Sequence, residues 1–165
     1  LFDSGLSADA IKLMTDEGDR GWLGMLRQGS TITMEAWNLR TKPNQDWNHA
    51  WGTAPSNVVR RKLVGLEPLT PGFDSVTIKP QMGELQQLDC KIPTIKGDFD
   101  ISIKNQNDFV MKVDIPANVT AYLTLPLNIK GDVKVNGRSV TATKTQQGLL
   151  LPAVVSGKYV ISATK

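Results

Sequence analysis

The sequence has few cysteines and histidines and no long apolar run, and each scarcity removes a class of protein. A single cysteine in 165 residues, Cys90, excludes an internal disulfide framework. No stretch of 18 consecutive apolar residues exists, so the sequence predicts no membrane-spanning helix. The single histidine, His49, has no second histidine or cysteine cluster beside it, so we expect neither a metal ion nor a cofactor.

Charge of one sign is not in large excess either. The 19 Lys and Arg against 16 Asp and Glu give a net charge of +3. The densest basic cluster is residues 60–62, with no aromatic residues interleaved, so nucleic acid is not an expected partner. Forty per cent hydrophobic residues with 21% charged residues indicate a folded chain with a real core.

The first third of the sequence has helical spacing of its apolar residues. Three short helices are predicted there: residues 8–15 after an N-cap at Ser7, a start at residues 33–38, and a stretch to about residue 62 capped by Asp46 or Asn48. These helices carry too little apolar surface for a bundle. We therefore expect the chain to be part of a longer protein, in which its four tryptophans find a packing surface.

The spacing changes from helical to alternating after Pro68, Pro71 and Gly72. Alternating apolar and polar residues predict strands near residues 76–79, 101–104, 110–115, 120–125, 133–135 and 159–162. The Asn136-Gly137 pair is a strong hairpin signal between two of them. The chain is thus predicted to be α+β, with a helical part at residues 1–64 and an antiparallel β-sandwich at residues 65–165.

The chemistry concentrates in residues 31–52, which contain Glu35, Trp37, Trp47, His49 and Trp51. Indole faces cover the apolar faces of sugar rings, polar groups fix their hydroxyls, and a carboxylate can act at the glycosidic bond. This composition predicts a carbohydrate site. Taken singly, however, Glu35 could be a surface residue in a first helical turn and His49 a hydrogen-bonded structural residue.

Several segments, in order and with sensible spacing, resemble the C-terminal end of bacterial α-L-rhamnosidases. They are residues 21–22 (Gly-Trp), 29–37 (Gly-Ser-Thr-Ile-Thr-Met-Glu-Ala-Trp), 48–52 (Asn-His-Ala-Trp-Gly), 63–68, 71–81 and 115–121. The resemblance implies that the helical part is the end of an (α/α)6 barrel and that the β-sandwich packs behind it. The implied activity is the release of terminal α-L-rhamnose with inversion, by two carboxylic residues and no metal.

The resemblance also implies roles for particular residues. Glu35 takes the place of the family's general base and His49 that of its sugar-contacting histidine. Trp37, two residues after Glu35, is the candidate for stacking on the sugar, whereas Trp22 and Trp51 are expected to pack. The family's acid comes from an earlier part of the barrel that this chain lacks, so we expect the chain alone to be inactive. The implied partners are a rhamnose-containing glycoside or polysaccharide and the remainder of the barrel.

Other interpretations stay open at this point. Many family members place an aromatic residue directly before the glutamate where this chain has Met34, which leaves the exact sugar preference open. A different sugar hydrolase on the same barrel type, such as a fucosidase or phosphorylase, is a further possibility. A non-catalytic carbohydrate-binding or structural sandwich is the alternative from another class. It requires exposed aromatic residues on the sandwich, whereas Phe99, Phe109, Tyr122 and Tyr159 lie in patterns that predict core positions. The compartment is undetermined; a periplasmic or secreted location is compatible with the sequence.

Overall fold

The computed structural model describes residues 1–165, apart from the side chain of Trp51. The chain divides into two compact units, Leu1–Val59 and Arg60–Lys165. The helical elements are a 3₁₀ turn at Phe2–Ser4, α1 at Ser7–Met14, α2 at Trp22–Arg27, a 3₁₀ turn at Ala50–Thr53, α3 at Ala54–Val58, a π-helical turn at Val59–Leu63 and a 3₁₀ turn at Pro71–Phe73. Short helices followed by sheets confirm the α+β class.

Two of the three predicted helices exist with different limits, and the third, at residues 33–38, was wrong. Helix α1 forms where apolar spacing predicted it, but Leu6 is the N-cap and Ser7 is already the first helical residue. The last helical stretch begins only at Ala50, so neither Asp46 nor Asn48 caps it. Pro55 is tolerated because it lies in the first turn of α3, where its missing N–H has no intrahelical partner to lose. Residues 33–38 are not helical.

The second unit is built from eleven strands in two sheets. The strands are β1 Leu66–Pro68, β2 Ser75–Ile78, β3 Gln87–Thr94, β4 Gly97–Asn105, β5 Asp108–Ile115, β6 Thr120–Leu125, β7 Val133–Val135, β8 Arg138–Val140, β9 Thr143–Thr145, β10 Gly148–Leu150 and β11 Gly157–Thr164. The five-stranded sheet has the order β1-β2-β6-β10-β9 and the six-stranded sheet the order β3-β4-β5-β11-β7-β8. Neighbouring strands are antiparallel except β2 and β6, which run parallel.

One core lies between the two sheets. Alternate residues of each strand face it, so Phe99 and Ile103 from β4 and Phe109 and Met111 from β5 are fully buried together with Leu123 from β6. Full burial of a large apolar side chain stabilises a fold by about 1.5–3 kcal/mol. The alternating pattern in the sequence is therefore the main determinant of this sandwich.

Two details of the sandwich bear on the sequence predictions. The core positions predicted for Phe99 and Phe109 are confirmed, but that for Tyr122 was wrong, since 39% of its surface is exposed; Tyr159 is partly buried against the core. The Asn136-Gly137 hairpin is confirmed between β7 and β8, with φ of 50° and 79° at the two residues. No helix within the described residues has the length and apolar character needed to span a bilayer.

Candidate functional site

Backbone pairing between two segments of the first unit fixes the position of Glu35. The N–H of Glu35 donates to the carbonyl of Asp46 (2.9 Å), and the N–H of His49 donates to the carbonyl of Thr33 (2.9 Å). The Thr33 hydroxyl adds a bond to the carbonyl of His49 (2.7 Å). These bonds join residues 33–35 to residues 46–49, and they replace the helix that local spacing predicted for residues 33–38.

Two donors hold the Glu35 carboxylate. Lys42 Nζ pairs with Oε1, and the backbone N–H of Asp46 donates to Oε2 at 3.2 Å. The hydrogen bond from Lys42 is the main reason why the pKa of Glu35 lies below its ordinary value, and the Asp46 N–H acts in the same direction. The Glu35 side chain is 19% exposed. The site therefore contains an ionised carboxylate with limited access to solvent.

Glu35 opens onto a cavity of about 220 Å³ in the first unit. Its walls include Trp22 and Trp37, whose rings meet edge to face with centroids 4.9 Å apart and planes at 88°. The indole N–H of Trp22 donates to the carbonyl of Gly52 at 2.6 Å, which fixes one wall. Met34, although 1% exposed overall, also lines the cavity. A carboxylate between aromatic and thioether walls matches the chemistry of a carbohydrate site.

Residues that the sequence did not single out support this arrangement. Gln45 is 6% exposed, and its Oε1 accepts the N–H of Ala36 at 2.9 Å, so it holds the chain just after Glu35. Lys42 forms the ion pair with Glu35. Neither had a detectable signal, because both lie in a polar loop whose conformation brings them back to Glu35.

The predicted site residues have different surroundings. Trp37 is half-buried and lines the Glu35 cavity. His49 is half-buried and contributes through its backbone to the pairing that holds Glu35, and its charge also favours the ionised carboxylate. Trp47 is 40% exposed. The side chain of Trp51 lies outside the described residues, and in the described part no group of three His, Cys, Asp or Glu could hold a metal ion.

A larger hollow of about 690 Å³ lies in the second unit, over β3, β4, β5 and β11. Four of the six charged residues in its lining form ion pairs with strand neighbours: Lys91 lies 3.9 Å from Asp100, and Lys158 lies 3.3 Å from Asp114. Tyr159 is the aromatic residue in its lining. Side chains that are engaged in ion pairs are less available to bind a ligand or to act as an acid or base. We therefore take the smaller cavity at Glu35, and not the larger hollow, as the candidate site.

Two family profiles match the chain, and together they cover residues 1–139 except Val64. Residues 1–63 match the 6-hairpin glycosidase domain of bacterial α-L-rhamnosidases, which identifies the class as a glycoside hydrolase domain. Residues 65–139 match the C-terminal domain of the same family. The chain belongs to the bacterial α-L-rhamnosidase family and corresponds to its C-terminal region.

Curated relatives and solved structures agree with this assignment. The chain is 28% identical over 149 residues, 84% of its length, to an α-L-rhamnosidase of Alteromonas sp. (strain LOR), and 27% identical over 143 residues, 81% of its length, to one of Formosa agariphila. It spans 16% and 15% of those proteins.

Two rhamnosidase structures share the fold. The α-L-rhamnosidase of Dictyoglumus thermophilum superposes with a TM-score of 0.82 at 21% identity, covering 94% of this chain and 19% of that one. The Streptomyces avermitilis α-L-rhamnosidase complexed with L-rhamnose gives 0.80 at 21% identity, covering 97% and 16%.

Proposed function

We propose that this chain is the C-terminal portion of a glycoside hydrolase that releases terminal α-L-rhamnose with inversion, with Glu35 as the general base. The observation that carries the proposal is the ionised Glu35 carboxylate, which two donors hold at the edge of a cavity lined by Trp37. The substrate class is taken from the relatives, which are named α-L-rhamnosidases.

The geometry of Glu35 suits the base of an inverting reaction. Such a base takes a proton from the water that attacks the anomeric carbon, so it must be ionised at working pH. A carboxylate has about four lone-pair sites, and Lys42 and the Asp46 N–H occupy two of them. The remaining sites can accept a hydrogen bond from the attacking water. The acid would come from the remainder of the barrel, with its carboxyl group roughly 6.5–9.5 Å away.

The neighbouring side chains would bind the sugar. Trp37 offers an aromatic wall beside Glu35, on which an apolar ring face can stack. The backbone of His49 is fixed by its hydrogen bond to Thr33, so its imidazole starts from a defined position and could contact a sugar hydroxyl. We propose both as substrate-binding residues, and a rhamnose-containing glycoside or polysaccharide as the substrate.

The alternative, a non-catalytic carbohydrate-binding sandwich, has weaker support. Stacking on sugar needs exposed aromatic faces. Phe99 and Phe109 are fully buried, Tyr159 is partly buried against the core, and Tyr122 is 39% exposed. One partly exposed tyrosine does not make a stacking platform, which favours a supporting role for the sandwich.

Replacement of the proposed base tests the function. In the full-length enzyme, Glu35→Gln should lower kcat on an aryl α-L-rhamnoside by about 10²–10⁴-fold with little change in KM, because the amide keeps the shape but cannot accept the proton. The matched control is Glu17→Gln, which removes an exposed carboxylate paired with Arg27. The control should retain wild-type kcat.

Azide distinguishes loss of the base from loss of the fold. Azide attacks the anomeric carbon without giving up a proton, so it should partly restore turnover of Glu35→Gln and yield an inverted glycosyl azide. A Glu35→Gln enzyme with near wild-type kcat would remove Glu35 from the mechanism. An enzyme that releases no rhamnose from any α-L-rhamnoside would refute the substrate assignment.

A further inference from the structure

Lys42 is the charged side chain that contacts the Glu35 carboxylate directly, and the loop between them positions it. Asn38 is 8% exposed, and its Oδ1 accepts both the N–H and the hydroxyl of Thr41, each at 2.9 Å. The backbone N–H of Lys42 donates to the carbonyl of Asn38 at 3.3 Å. This turn reverses the chain and directs Lys42 back to Glu35. The contact is thus the product of a hydrogen-bonded turn that is built on the buried Asn38.

The surroundings of Glu35 single out Lys42 among the charged groups. Asp46 contributes its backbone N–H at 3.2 Å, while Asp46 itself is exposed. The charge of His49 has the weakest effect of those acting on the carboxylate. Ion pairs as exposed as this one, with 41% of Lys42 accessible, contribute little to folding stability. The contact is therefore better explained by an effect on the carboxylate than by an effect on the fold.

We propose that Lys42 is a positioning residue for the Glu35 base: its ammonium holds Oε1 while the Asp46 N–H holds Oε2, which fixes the carboxylate plane at the cavity. This inference rests on the proposed function. Lys42 acts on the reaction through Glu35 and is not itself required to contact the sugar. Loss of the ammonium would free the carboxylate to rotate and would leave one oxygen without its charged donor.

The pH dependence has a defined sign. A positive charge beside a carboxylate favours its ionised form and lowers its pKa, and Lys42 is the largest such influence on Glu35. Removing Lys42 therefore raises the pKa of Glu35. Because the base works only when ionised, the acidic limb of the rate profile moves to higher pH.

The experiment is the pH profile of kcat/KM for the full-length enzyme on an activated aryl α-L-rhamnoside, since this quantity reports ionisation in the free enzyme. Lys42→Gln should move the acidic limb to higher pH and lower kcat by up to about 100-fold, the loss expected when a reacting group is displaced by roughly 1 Å. Lys42→Arg, which keeps a cationic donor, should restore the limb and most of the rate. Lys12→Gln, an equal loss of charge on an exposed residue of α1, should leave the profile unchanged.

The outcomes separate this inference from the function on which it rests. If Glu35→Gln is inactive and azide rescues it, yet Lys42→Gln has the wild-type acidic limb, the positioning role is overturned while the proposed function stands. The role is also overturned if Lys42→Arg is as impaired as Lys42→Gln, or if Lys12→Gln shifts the limb equally. If Glu35→Gln retains wild-type turnover, the proposed function fails and this inference fails with it.

Discussion

Replacing Gly65 by alanine should destabilise the sandwich far more than one methyl group suggests. Gly65 is buried and has a φ of +78°, a conformation that strains residues with a side chain. An added Cβ would lie 1.9 Å from the carbonyl oxygen of Lys79 and 2.6 Å from its nitrogen. These are backbone atoms, so no side-chain rotation can relieve the clash. The chain before β1 must therefore move away from the chain after β2.

The size of the destabilisation follows from the hydrogen bonds between these two segments. The left-handed conformation costs a non-glycine residue about 1–2 kcal/mol. Separation of the two segments breaks the bonds from Lys79 N–H to the Gly65 carbonyl and from Gln81 N–H to the Leu63 carbonyl, both 3.0 Å. Each lost bond costs about 0.5–1.5 kcal/mol, so the total is about 2–5 kcal/mol. The free energy of unfolding of a domain is about 5–15 kcal/mol, so the substitution should remove a large share of the stability of the sandwich.

Gly137 provides the matched control for this measurement. Its φ is +79°, nearly that of Gly65, but an added Cβ would meet no atom within 4 Å. Gly137→Ala should therefore cost only the conformational strain of about 1–2 kcal/mol. The assay is urea unfolding followed by far-UV circular dichroism, because all four tryptophans precede Gly65 and their fluorescence would not report on the sandwich. Equal losses of stability for the two variants would refute the steric argument.

Two further predictions concern the sandwich. Burial, with Asp89 nearby, raises the pKa of the Cys90 thiol to about 11. Only about 0.1% of the thiol is therefore thiolate at pH 8, so its labelling by a disulfide reagent should be slow and should accelerate about tenfold per pH unit. Rapid labelling at pH 8 would contradict this prediction. Phe109→Ala should lower the free energy of unfolding, measured in urea, by about 3–5 kcal/mol, because Phe109 is fully buried. Tyr122→Ala should lower it by less than about 1 kcal/mol, because Tyr122 is partly exposed. Comparable losses for the two variants would contradict the core assignment.

The sandwich could be predicted largely from sequence because its determinants are local. A strand that buries one face alternates at every second residue. For that reason β6 has its predicted limits, and β5 ends where predicted and begins two residues earlier. The Asn136-Gly137 turn also depends on local sequence alone, because it needs positive φ angles at both residues and few other residue pairs adopt them. The parallel pairing of β2 with β6 was missed, because it joins residues about 45 positions apart and has no local pattern.

The site could be predicted only in part, because its geometry is not local. Composition and spacing were enough to single out Glu35, Trp37 and His49 as candidates. The same local reasoning predicted a helix for residues 33–38, whereas hydrogen bonds to residues 46–49 take up the backbone there. Lys42 was missed because only the turn built on Asn38 brings it to the carboxylate. The conformation of this loop depends on a buried side chain, and no periodic pattern in the sequence predicts it.

The small residues of the site explain how separate sequence segments produce one arrangement. A Cβ on Gly52 would lie 2.9 Å from the Thr33 Cβ and 3.0 Å from the Met34 carbonyl oxygen, so only glycine lets the two segments approach this closely. The carbonyl of the same glycine accepts the indole N–H of Trp22. Gly52 thus joins the aromatic wall to the segment that carries Glu35. Such residues take no part in chemistry, yet they set the distance between the carboxylate and the surface against which a sugar would lie.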